Sequence, residues 1–93
     1  MTKETIVAAL VAEGLTVTQD SLAIPEDREA AFLVAAPGDV LPVSKVVRVE
    51  LRDKAICLHT VKSEHFWFSY DGILGLQILA PKPAKDRVAG FSK

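Results

Sequence analysis

Ninety-three residues suffice for one domain rather than two, and a chain of this length hides only about two thirds of its surface on folding. A hydrophobic share of 49% with 25% charge excludes wholesale disorder, and a net charge of −1 excludes the strong basic excess of a typical nucleic-acid-binding domain. Cys57 is the single cysteine, so no disulfide can close within the chain, which favours a reducing, cytoplasmic setting.

The N-terminal segment predicts a helix over Lys3–Glu13. Thr2 can cap it, Ile6, Val7, Leu10 and Val11 form one apolar stripe, and Gly14 suits the left-handed position after the last turn. The apolar run Ile6–Ala12 is bracketed by Glu4 and Glu13 and is too short to span a bilayer, so neither a signal peptide nor a membrane span is expected. Leu15-Thr16-Val17 alternates like a strand, Gln19-Asp20-Ser21 reads as a turn, and Leu22-Ala23-Ile24 as a second short strand.

PEDREAAFLVAA admits two readings: a helix opened by Pro25, or a polar loop over Glu26–Glu29 feeding a buried strand over Ala31–Ala35. The second is preferred. Ala36-Pro37-Gly38-Asp39 has the composition of a type II turn. Val40-Leu41-Pro42-Val43 returns from it and, because Pro42 lacks an N–H, belongs at a sheet edge or is very short.

Val46–Tyr70 reads as three antiparallel strands broken at Arg52-Asp53-Lys54 and at Lys62-Ser63-Glu64. A first turn centred on Asp53-Lys54 sets Leu51 opposite Ile56, Val49 opposite Leu58 and Val47 opposite Thr60. A loop at Lys62-Ser63-Glu64 sets Thr60 opposite Phe66, Leu58 opposite Phe68 and Ile56 opposite Tyr70. Asp71-Gly72 signals a further hairpin, and Ile73–Leu79 is a buried strand or a short buried helix.

Together these elements predict an α+β domain over residues 1–80. An N-terminal helix packs on a twisted antiparallel β-meander of about five to seven short strands, which could close partly into a small barrel. Pro81 opens a basic segment with almost no periodicity, expected to be a flexible tail over 81–93.

The hairpin registers turn the aliphatic set to one face and leave Arg48, Glu50, Cys57, His59, His65 and Trp67 on the other, with Arg48 and Trp67 both opposite His59. This is the candidate binding face. Cys57 and His59 share a strand side, and Glu50 and His65 could join them around a metal or in thiol chemistry. His65, however, is expected beside Val61, and neither CxxC nor HxxxH spacing occurs. Glycine-rich phosphate loops, GxSxG and the dinucleotide fingerprint are absent too. No catalytic residue, metal or cofactor is therefore assigned.

The expected role is a non-catalytic protein–protein interaction or oligomerisation domain, a homodimer by preference. Its face would carry Trp67 and Arg48, with Leu74, Leu76 and Ile78 extending an open apolar patch. The first alternative is a nucleic-acid-binding β domain. Arg48, Arg52, Lys54, Lys62 and the basic tail would contact phosphates, and Trp67 would stack on a base. The order VVRVEL, ICLHT and then an aromatic strand resembles the β-rich DNA-binding domains of LytTR-type regulators over Val46–Tyr70, as it resembles many small β-meanders, and no residue role is carried over from it. The second alternative is a metal or thiol site at Cys57 and His59.

Overall fold

The computed structural model describes residues 1–79; the expected tail over 81–93 lies outside the described residues. Helix α1 spans Lys3–Ala12 and is capped as its sequence dictates. The Thr2 hydroxyl accepts the Thr5 N–H at 3.1 Å, satisfying a donor that has no partner inside the helix. At the other end Gly14 adopts φ 84. Leu15 N–H reaches back to Leu10 O at 3.1 Å and Gly14 N–H to Val11 O at 2.9 Å, the double closure of a Schellman motif. Leu10 and Leu15, the two residues such a motif brings into apolar contact, are both buried. The helix docks through Ile6 and Leu10, each worth roughly 1.5–3 kcal/mol of burial, with Val7 packed beside them. Val11 stays exposed, so the stripe is narrower than its spacing suggested.

Leu15–Val17 forms no strand. Thr18 and Ser21 instead bond each other across Gln19 and Asp20, both at positive φ (53 and 61), a tight two-residue turn that leads into β1, Ser21–Ala23. Strand β2, Ala30–Ala36, follows the polar loop as the strand reading required. Gly38, at φ 71, closes the turn to β3, Asp39–Leu51. The two runs expected on either side of Ser44-Lys45 are one strand of 13 residues, kinked where Lys45 takes φ 57. Only the latter half of β3 pairs with β4, so Pro42 lies where β3 has an open side and its missing N–H costs no ladder bond.

Strands β4 (Ala55–Thr60) and β5 (His65–Ser69) follow, then a 3-10 turn over Tyr70–Gly72 and β6, Ile73–Ile78. Leu51 faces Ile56 and Val49 faces Leu58 as expected, but the kink sets Val46, not Val47, opposite Thr60. In the second hairpin Leu58 faces Phe66 and Ile56 faces Phe68, two residues away from the expected register. The loop has the expected three residues but sits one residue earlier, at Val61–Ser63, because Thr60 N–H donates to Glu64 O while Thr60 Oγ1 bonds the Glu64 carboxylate and the Lys62 N–H. A slip of two leaves every side chain on its face, which is why the facial assignment survives a wrong register.

The Asp71-Gly72 hairpin does not form. The 3-10 turn sends β6 to the free edge of β2, and the sheet runs β5-β4-β3-β2-β6 with β1 beside β3. Both ends of this antiparallel sheet remain unpaired among the described residues, so it is not closed into a barrel. One side carries the core: Ile6 and Leu10 of the helix meet Phe32, Val49, Leu51, Ile56, Leu58 and Ile73. Leu76 and Ile78 pair with Phe32 and Ala30 and pack against this core, so of the expected β6 patch only Leu74 is exposed. Among the described residues no helix is long and apolar enough to cross a membrane.

Candidate functional site

Directly paired residues on neighbouring strands share a face. Cys57 pairs with Trp67 and with Glu50, and His59 pairs with Arg48 and with His65. The sheet therefore gathers all six candidate residues on the side opposite Leu58 and Phe66. Arg48 lies opposite His59 as read from the sequence; Trp67 does not, and His65 takes that place instead of standing beside Val61. The imidazoles of His59 and His65 are consequently neighbours, with ring centroids 5.5 Å apart.

At the centre His59 Nε2 donates to Glu50 Oε2 at 2.6 Å, while Arg52 Nη2 donates to the other carboxylate oxygen at 2.8 Å. Cys57 Sγ lies 3.6 Å from the same His59 nitrogen. The bond from His59 holds the Glu50 carboxyl below the usual carboxylate range, with burial opposing and Arg52 assisting. Burial pushes the Cys57 thiol up, and the nearby Glu50 charge pushes it the same way. His59 directs its Nε2–H to Glu50 rather than to the Cys57 sulfur.

Around this centre the face divides. Trp67 is 54% exposed, so it is not a core residue. On the side of β1, Thr16, Thr18, Ser21, Arg48, Glu50 and Arg52 line a polar cleft of about 450 Å3. Strand pairing alone could not reveal it, because it depends on β1 lying alongside β3. A second depression of about 410 Å3 lies between the first half of β3 and the β4–β5 hairpin, where Leu41, Val43, Val61, Phe66 and Phe68 line it. Among the described residues the basic candidates form no single patch: Arg48 and Arg52 line the polar cleft, with Arg52 engaged with Glu50, while Lys54 and Lys62 sit in the loops at opposite ends of β4. The chain matches no family model, no curated protein and no solved structure, so the resemblance over Val46–Tyr70 gains no support.

Proposed function

We propose that this chain is a non-catalytic interaction domain that associates with a second copy of itself through the open edge of β5. The observation that carries this reading is the state of that edge. Thr60 N–H donates to Glu64 O, which makes Thr60 and Glu64 a hydrogen-bonded pair. Alternation along the ladder then turns the N–H and C=O groups of His65, Trp67 and Ser69 away from β4, and among the described residues no strand pairs with them. Edge strands of monomeric proteins are normally blunted by lysine, proline or a bulge; His65-Phe66-Trp67-Phe68-Ser69 has none of these.

The edge is self-complementary. In a two-fold antiparallel pairing centred on Trp67, His65 meets Ser69 of the second copy, and the outward groups of all three residues find partners. Phe66 and Phe68 then meet across the new seam on the core side, where Phe66 is 39% exposed. Cys57 is 1% exposed and so is not presented to a second copy, which goes with a cytoplasmic role in which assembly depends on packing rather than on a disulfide. The nucleic-acid reading has less behind it, since the basic groups are dispersed.

Light scattering tests the proposal. The wild type is expected at twice the chain mass of 10.1 kDa. Trp67→Pro removes an N–H that points away from β4, so it spares the β4–β5 ladder and is expected to return the mass to that of one chain with unchanged circular dichroism. Trp67→Phe keeps the backbone groups and stays a dimer. A single-chain mass for the wild type at every soluble concentration, or a Trp67→Pro variant that remains dimeric, overturns the proposal.

A further inference from the structure

We infer that Glu50, Cys57 and His59 form a binding site for a divalent transition-metal cation of the zinc class. This goes beyond the interaction reading and does not depend on it. The three ligand atoms come from two adjacent strands, and all lie within 4.8 Å of one another. Cys57 and His59 are two apart on β4, so their side chains leave the sheet in parallel, and Glu50 is the direct partner of Cys57 on β3.

One separation already suits a tetrahedral ion, and a second needs only a side-chain rotation. With bonds of about 2.3 Å to sulfur and about 2.0 Å to nitrogen, tetrahedral geometry sets the two ligand atoms about 3.5 Å apart. Cys57 Sγ and His59 Nε2 already stand at 3.6 Å. A nitrogen and an oxygen on the same ion stand about 3.3 Å apart, against 2.6 Å for the present His59–Glu50 hydrogen bond. Binding would release the Cys57 thiol proton to solvent and shift the His59 proton from Nε2 to Nδ1, after which rotation of the carboxylate would open that gap without moving the backbone.

The donor set selects the ion. One thiolate, one imidazole and one carboxylate suit zinc and its neighbours and are a poor match for magnesium or calcium, which take oxygen ligands. Cys57 is buried and the side chains of Glu50 and His59 are 19% and 29% exposed, so an ion held here would be shielded yet reachable from the surface. Arg52 binds Glu50 Oε1 and leaves Oε2 turned to His59, the kind of outer contact that orients a metal-binding carboxylate. The fourth position is left to water, because His65, whose ring neighbours that of His59, is not among the converging ligand atoms. Such an ion would tie β3 to β4 beneath the face that carries Trp67.

The test uses the full chain without an affinity tag, stripped with chelator and titrated with Co2+ alone and with Zn2+ alone. One equivalent of Co2+ is expected to produce a thiolate charge-transfer band together with the intense d–d absorption of a tetrahedral site. Cys57→Ser should abolish the charge-transfer band. Glu50→Gln and His59→Gln should each weaken Zn2+ binding by more than the roughly 10–100-fold that outer contacts control, and His65→Ala by less than either. If Cys57→Ser fails to fold, Glu50→Gln and His59→Gln, which alter partly exposed side chains, carry the test. Absence of the charge-transfer band at saturating Co2+ in the folded wild type overturns the inference. So does Zn2+ affinity unchanged by both Glu50→Gln and His59→Gln.

Discussion

Cys57 and Trp67 stand directly opposite each other on β4 and β5, yet Cys57 is 1% exposed and Trp67 54%. They form a non-hydrogen-bonded pair, the closer of the two kinds, with Cβ atoms about 4.5–5.5 Å apart. The indole is thus the largest side chain paired with Cys57, and it leaves about half of its own surface to solvent. Trp67→Ala is expected to raise the rate at which a disulfide reagent modifies native Cys57 several-fold, measured by thiol release at protein concentrations too low for association. An unaltered rate would assign the shielding of Cys57 to Glu50 and His59 instead.

Arg28 joins three parts of the chain that are far apart in sequence. Its Nε donates to Leu79 O at 2.7 Å, Nη1 to Glu13 O at 3.0 Å and Nη2 to Glu13 Oε1 at 3.0 Å, which links the end of α1 to the residue just beyond β6. The side chain is only 12% exposed, so these bonds are better shielded than those of a surface ion pair. Arg28→Ala should lower stability by about 1–3 kcal/mol in urea denaturation with an unchanged m-value. Arg28→Lys should recover less than half of the loss, because an ammonium cannot reproduce the fork. Full recovery by lysine would reduce the role of Arg28 to its charge.

Tyr70 is the only tyrosine, so its titration can be followed alone by ultraviolet absorbance. Its hydroxyl donates to Arg52 O, and burial, followed by the charges of Asp20, Asp53 and Glu4, raises the phenol above its ordinary value. The unfolded chain ionises first, near pH 10, so between that pH and the folded-state midpoint the native state binds more protons. Stability contributed by neutral Tyr70 is therefore complete below about pH 10 and falls as pH rises through the folded value. The expected result is a native titration midpoint above 10 and a decline of the urea midpoint over that window that Tyr70→Phe removes. A midpoint at or below 10 would contradict this.

Local chemistry carried a large part of the fold. The Thr2 cap, the Gly14 closure of α1 and the glycine turn before β3 depend on neighbours within a few residues and formed where composition placed them; the three strands expected over Val46–Tyr70 exist, but the first begins at Asp39 and Tyr70 falls in the 3-10 turn. Side-chain alternation has a period of two, so the facial division that gathers Arg48, Glu50, Cys57, His59, His65 and Trp67 tolerated a hairpin register wrong by two.

The rest required the assembled sheet. Whether the run Ile73–Ile78 would return along β5 or cross to β2 depends on which free edge lets it bury Leu76 and Ile78, and no local signal reports that. The short contacts of His59 with Glu50 and Cys57 likewise depend on the exact pairing of β3 with β4, and the adjacency of His59 and His65 on a three-residue loop closed by Thr60 and Glu64. Alternation thus assigns each side chain to a face, whereas its neighbours within that face follow from strand pairing, whose energy comes from contacts distant in sequence.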